Sequence, residues 1–142
     1  MQKILIVTPS ESLATQMSSL NKRLGLLTVV ARDGAKGIEK YWQNQDISLI
    51  ICDIHLPVID GLEMLKRIKR LGFATSSIVL TEGLEDDLLV EAKLLGASGW
   101  IMKPVTEKAY TLCITQVLGL EKKDCEASLP KKESDQGQTL IN

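Results

Sequence analysis

The chain has 142 residues, 44% apolar and 25% charged, with a net charge of −1. That length suits one domain with a substantial core, and the charge balance gives no electrostatic reason to expect nucleic acid or an anionic membrane as partner. No apolar stretch approaches membrane-span length, three cysteines without a C-x-x-C spacing point to a reducing, cytoplasmic compartment, and the single histidine has no partner at zinc-ligand spacing.

Lys3-Ile4-Leu5-Ile6-Val7 opens the chain as a strand and is too short for the apolar region of a signal peptide. Leu13, Met17, Leu20 and Leu24 then recur at helical spacing, opened by Ser10 or Ser12 and closed by Gly25. A second apolar run at 28–31 leads to Asp33-Gly34, which opens a helix with Ile38 and Trp42 on one face. The third run, 49–52, ends in Asp53, and Asp60-Gly61 opens a helix carrying Leu62, Leu65 and Ile68 as far as Gly72. Its basic end (Lys66, Arg67, Lys69, Arg70) complements the helix dipole. A fourth run at 78–80 precedes a helix marked by Leu84, Leu88, Ala92 and Leu95, stopped at Gly96. The fifth, 99–102, precedes one marked by Ala109, Leu112, Cys113 and Val117, stopped at Gly119. Cys52, inside a strand, and Cys113, on a helix stripe, read as small hydrophobes.

Strand and helix thus alternate five times through residue 119, the pattern of an α/β, doubly wound, five-stranded parallel sheet of flavodoxin-like order 2-1-3-4-5. Its ligand crevice opens where the winding reverses, between the ends of the first and third strands. Those ends are Thr8-Pro9 and Asp53. A carboxylate there costs free energy unless a cation, a metal or a covalent modification meets it. Residues 121–142 are polar and interrupted by Pro130, too poor in apolar groups to offset their ordering entropy, and read as a tail or linker beyond a 1–120 domain.

With the elements in this order, Asp53, Leu56-Pro57, Asp60-Gly61, Thr81, Gly96-Ala97, Gly99-Trp100 and Lys103-Pro104 together resemble the receiver domain of bacterial response regulators over about residues 2–119. The resemblance implies a CheY-like signalling domain, not a metabolic enzyme, that takes a phosphoryl group from a histidine of a sensor kinase or phosphotransfer protein. By match to the family motifs, Asp53 is the phosphoacceptor, Lys103 the lysine that pairs with the phosphoryl group, and Thr81 the hydroxyl that turns toward it. Trp100 matches the aromatic switch position, and the Lys103-Pro104 bond is expected to be cis. The family docks downstream proteins on the face of the fourth helix, fifth strand and fifth helix, which here would present Trp100, Lys108, Tyr110 and Ile114. After residue 119 no DNA-binding or enzymatic output pattern follows, as in a stand-alone receiver or one taken from a longer protein.

One departure from the family is sharp. Receivers carry two adjacent acids after the first strand, which hold a divalent cation with the phosphoacceptor; here Thr8-Pro9 stands in their place. Mg²⁺ favours carboxylate and water oxygens, and Pro9 offers neither carboxylate nor N–H. At an effective dielectric of ~20, each carboxylate about 4 Å from an ion contributes roughly 4 kcal/mol per unit of ionic charge. If ~3 kcal/mol per lost acid survives desolvation, affinity falls about a hundredfold for each. Mg²⁺ binding is therefore expected to be weak or absent and metal-dependent phosphorylation impaired. Glu11 could reach back toward the site, or serve only the first turn of the first helix. Glu82 could lend a carboxylate, pair with Lys103 or block the crevice, or group with Glu85, Asp86 and Asp87 at a helix N-terminus. His55 would supply a backbone carbonyl to a metal, its ring at the rim, with proton sensing as the lesser reading.

An atypical receiver acting through protein contacts is the leading expectation, with a fully competent phosphoacceptor switch as its alternative. A remote third reading is a flavodoxin-like mononucleotide binder, suggested by the hydroxyl-rich segment Thr8-Pro9-Ser10-Glu11-Ser12. Against it, that loop has no glycine for close approach and aromatics are few.

Overall fold

The computed structural model describes residues 2–72, 74–83, 85–120 and 138–140. Its elements are β1 (Lys3–Val7), α1 (Glu11–Arg23), β2 (Leu27–Ala31), α2 (Gly34–Gln43), β3 (Ile47–Asp53), α3 (Gly61–Arg70), β4 (Ser76–Thr81), α4 (Asp86–Leu94), β5 (Ala97–Met102), α5 (Glu107–Leu118) and β6 (Gln138–Leu140). The first five strands are parallel, in the expected order β2-β1-β3-β4-β5.

Period-two alternation sends successive side chains to opposite faces of a sheet, and here both faces are covered, so the strands read as unbroken apolar runs. Leu5, Val7, Ile50, Cys52 and Val79 pack with Leu62, Met64, Leu65 and Ala92 beneath α3 and α4. Ile4, Ile6, Leu49, Ile51, Leu80 and Ile101 pack with Met17, Leu20, Tyr110 and Ile114 beneath α1 and α5. Each fully buried Leu or Ile contributes about 1.5–3 kcal/mol of transfer free energy.

Three helices start on side chains that accept from a backbone N–H in the first turn: Ser10 from Leu13, Asp33 from Lys36 and Thr106 from Ala109. At the start of α3 a Cβ on Gly61 would overlap the Asp53 carbonyl oxygen, so only glycine lets that helix begin directly against the end of β3.

Two expectations need correction. In α2 the buried aromatic is Tyr41, 1% exposed, whereas Trp42 is 55% exposed. Gly34, Gly37 and Tyr41 form the inner face, a stripe that hydrophobicity alone passes over because two of its members are glycines. In α5, Tyr110 and Ile114 are both fully buried, so neither is presented to a partner. The Tyr110 hydroxyl instead donates to Asn21 Oδ1 at 2.6 Å, joining α5 to α1.

A further strand lies outside the five-fold alternation. β6 pairs antiparallel with β5, Thr139 opposite Trp100, and adds a sixth strand at that edge. Three residues are too few to show a period in sequence. The rest of the segment read as a tail, 121–137 and 141–142, lies outside the described residues, as does Leu84.

Candidate functional site

β1 and β3 run side by side, with Val7 opposite Cys52, and their ends bring Thr8 next to Asp53. Both are buried, Thr8 completely and Asp53 with 2% of its surface exposed. The Thr8 N–H donates to Ala31 O at 3.0 Å, which fixes the backbone. Its hydroxyl then donates to Asp53 Oδ2 at 2.6 Å and accepts from the Ser10 N–H at 3.2 Å. Pro9 is exposed between the two, and Glu11 is exposed in the first turn of α1.

Lys103 follows β5. Its N–H donates to Thr81 O at 2.7 Å and its peptide bond to Pro104 is cis, as expected. The ammonium rests on Asp53 Oδ1 and lies 3.8 Å from Glu82 Oε2. Of the roles open to Glu82, the geometry shows the contact with Lys103, from a carboxylate that is 77% exposed.

Thr81 closes β4, with its hydroxyl turned to the loop that follows. Oγ1 donates to Gly83 O at 2.7 Å and to Glu85 Oε1 at 3.1 Å. The other Glu85 oxygen lies 2.9 Å from His55 Nε2. The hydrogen bond from His55 holds the Glu85 carboxyl below the ordinary range, with a further contribution from Thr81. In return the bond to Glu85 raises His55 above its ordinary value. Burial drives the Cys52 thiol, next to Asp53, far above the ordinary range, so it is no nucleophile.

Trp100 lies on β5 opposite Val79 of β4 and is half-buried against the core beneath α3 and α4. Asp53, Thr8, Lys103 and Glu82 thus converge on one crevice, with Thr81, Glu85 and His55 along its rim, while Glu11 makes no hydrogen bond or ion pair with this cluster. The sequence had grouped Glu85 with the acids at the start of α4, and nothing in its spacing reveals that it bridges two loops.

Among the described residues, no three His, Cys, Asp or Glu side chains are grouped to hold a metal ion. Asp53 has a cation on one oxygen and a neutral donor on the other, so the carboxylate is met from both sides within the protein. No helix among the described residues is long and apolar enough to cross a membrane.

The response regulator receiver domain matches residues 4–114. The alkaline phosphatase synthesis transcriptional regulatory protein PhoP of Bacillus subtilis is 26% identical over 99% of this chain, which spans 58% of PhoP. The chemotaxis protein CheY of Treponema pallidum is 28% identical, with 82% of each chain covered. The structure of the Vibrio cholerae chemotaxis protein CheY4 superposes with a TM-score of 0.76 at 28% identity, covering 82% of this chain and 98% of that one. The chain belongs to the response regulator receiver domain family of two-component signalling.

Proposed function

We propose that this receiver takes a phosphoryl group on Asp53 poorly and signals chiefly through protein contacts. The observation that carries this reading is that both Asp53 oxygens are engaged, Oδ1 by the Lys103 ammonium and Oδ2 by the Thr8 hydroxyl. The family's divalent ion needs anionic oxygens at that point, and Thr8 and Pro9 supply none. The donor set does not fit a hard divalent cation, so Mg²⁺ binds weakly or not at all. Charge supports the same reading: buried Asp53 with Lys103 is near neutral, and the Glu82 carboxylate, 77% exposed, adds only a solvent-screened charge to draw a cation in.

In the transfer itself an Asp53 oxygen attacks phosphorus and the bond from phosphorus to the donor's imidazole nitrogen breaks. The imidazole keeps that electron pair, Lys103 balances charge on the phosphoryl oxygens, and Thr81 can donate to one of them. The donor is a sensor histidine kinase or a phosphotransfer protein. The downstream partner docks on the α4 side of the α4–β5–α5 face, where Val90 and Leu94 are exposed and Trp100 is half-exposed, while the edge of β5 is paired with β6.

The competent-switch reading has one observation in its favour: Lys103 and Asp53 are already in contact, with Thr81 at the neighbouring strand end. The mononucleotide reading loses ground, because the Thr8 and Ser10 hydroxyls are spent on Asp53 and on capping α1. A small acyl phosphate with and without Mg²⁺, followed by intact mass, separates the first two. Little adduct in the wild type and none in Asp53→Ala supports the proposal. Rapid, Mg²⁺-dependent and complete modification at Asp53 overturns it.

A further inference from the structure

One carboxylate joins the two loops over the crevice. Glu85 holds His55 of the β3–α3 loop through Oε2 and Thr81 of β4 through Oε1. Glu85 occupies the N-cap position of α4, yet its side chain makes no capping hydrogen bond, unlike Ser10, Asp33 and Thr106 at their helices. The side chain is committed to Thr81 and His55 instead of to its own helix.

The hydroxyl of Thr81 has one proton. Its acceptors are Gly83 O and Glu85 Oε1, both on the β4–α4 side, while the Asp53 oxygens are held by Lys103 and Thr8. Gly83 O is main chain and belongs to the turn itself. Glu85 Oε1, at 3.1 Å against 2.7 Å for Gly83 O, shares that proton as the acceptor that a side chain supplies, and its charge strengthens the longer bond. His55 keeps that carboxylate in place.

We propose that Glu85 is a positioning residue that holds the Thr81 hydroxyl away from Asp53 and thereby keeps the domain in its resting conformation. This rests on reading Thr81 as the hydroxyl that turns toward a phosphoryl group on Asp53. A new negative charge at Asp53 has to draw the Thr81 proton away from Glu85 before the hydroxyl can turn. His55 sets how firmly Glu85 resists.

The test reads Thr81 directly. Three-bond couplings to the Thr81 methyl carbon report its χ1 rotamer by NMR in the full chain. Glu85→Ala raises the population of a second rotamer about five- to tenfold. Glu85→Gln, which keeps an acceptor oxygen, stays near the wild type, and His55→Ala falls between the two. Wild-type couplings in Glu85→Ala overturn the proposal.

A kinetic arm asks whether Glu85 acts through Thr81. In a Thr8→Asp/Pro9→Asp background with Mg²⁺ and a small acyl phosphate, Glu85→Ala speeds modification when Thr81 is present. It gives no acceleration when Thr81→Ala is added. Equal acceleration in both backgrounds means that Glu85 acts as general negative charge, and the proposal fails. If that background takes up no phosphoryl group at all, the phosphoacceptor reading fails while the couplings still decide the role of Glu85.

Discussion

The Thr8 hydroxyl donates to Asp53 Oδ2 across 2.6 Å, in a crevice where the other carboxylate oxygen is held by Lys103. Where the family places two acids, this chain places a buried neutral donor. Thr8 is tied on three sides: through its N–H to Ala31, by Ser10 and by Asp53. Thr8 and Lys103 together form a closed, charge-balanced polar group that satisfies the carboxylate from within the protein.

A balanced pair of this kind becomes costly when one half is lost. Lys103→Met leaves Asp53, almost wholly buried, with a single hydroxyl donor. Breaking a buried ion pair from one side costs about 3–5 kcal/mol; since Lys103 keeps 24% side-chain exposure, we expect ~2–3 kcal/mol by denaturant unfolding. Asp53→Asn combined with Lys103→Met should cost less than the sum of the single changes, with a coupling of at least ~1 kcal/mol. Additive losses would show that the pair contributes nothing to stability.

Returning the acids should return the ion. Thr8→Asp with Pro9→Asp places three carboxylates against one ammonium and should tighten Mg²⁺ binding by about a hundredfold per acid, on the same electrostatic scale that predicts its loss. Titration of Trp100 fluorescence in a Trp42→Phe background measures this. Without Mg²⁺ the double variant should unfold at lower denaturant than the wild type, since three clustered anions repel. An unchanged Mg²⁺ affinity would mean that another part of the crevice excludes the ion.

The sequence showed the frame well and the rim poorly, for physical reasons. Residues 4–7 and 49–52 are apolar throughout because both sheet faces are covered, and a run of that kind ending in Asp53 is visible without coordinates. Ser10, Asp33 and Gly119 mark helix ends because capping chemistry is local. By contrast, Tyr41 and Trp42 are adjacent aromatics, and which one is buried depends on α2 turning its two glycines toward its neighbours. Tyr110 is placed inside by Asn21, 89 residues away in sequence. The Glu85 bridge likewise depends on where two loops meet, which no spacing encodes. Thr8 was legible as a lost acid, but its bond to Asp53 was not.

The two described thiols should be inert in the native state. Cys52 and Cys113 are fully buried, and burial pushes the Cys113 thiol up to about 12. A thiolate, not a thiol, reacts with electrophiles, so at mildly alkaline pH neither residue presents a reactive form. Labelling with a maleimide followed by peptide mapping should leave both unmodified until denaturant is added. Modification of the Cys113 peptide before unfolding would show that α5 opens locally.

Val58 offers a stabilising substitution. Its φ is +70°, and the Ile59 N–H donates to Pro57 O at 2.8 Å across it, which makes a strained γ-turn centred on a β-branched residue. The residue is 77% exposed and so gives back little by packing. Strain at such positions costs about 1–3 kcal/mol, and glycine, with no Cβ, adopts a positive φ without that cost. Val58→Gly should therefore raise unfolding stability by ~1 kcal/mol, the relief of strain exceeding the entropy glycine adds to the unfolded chain, seen as a higher denaturant midpoint at unchanged slope. Pro57 O also accepts from the Gly34 N–H at 3.3 Å, which ties this turn to the start of α2, so the turn keeps its shape when the side chain changes. A lower midpoint would show that the valine makes a stabilising contact that its exposure conceals.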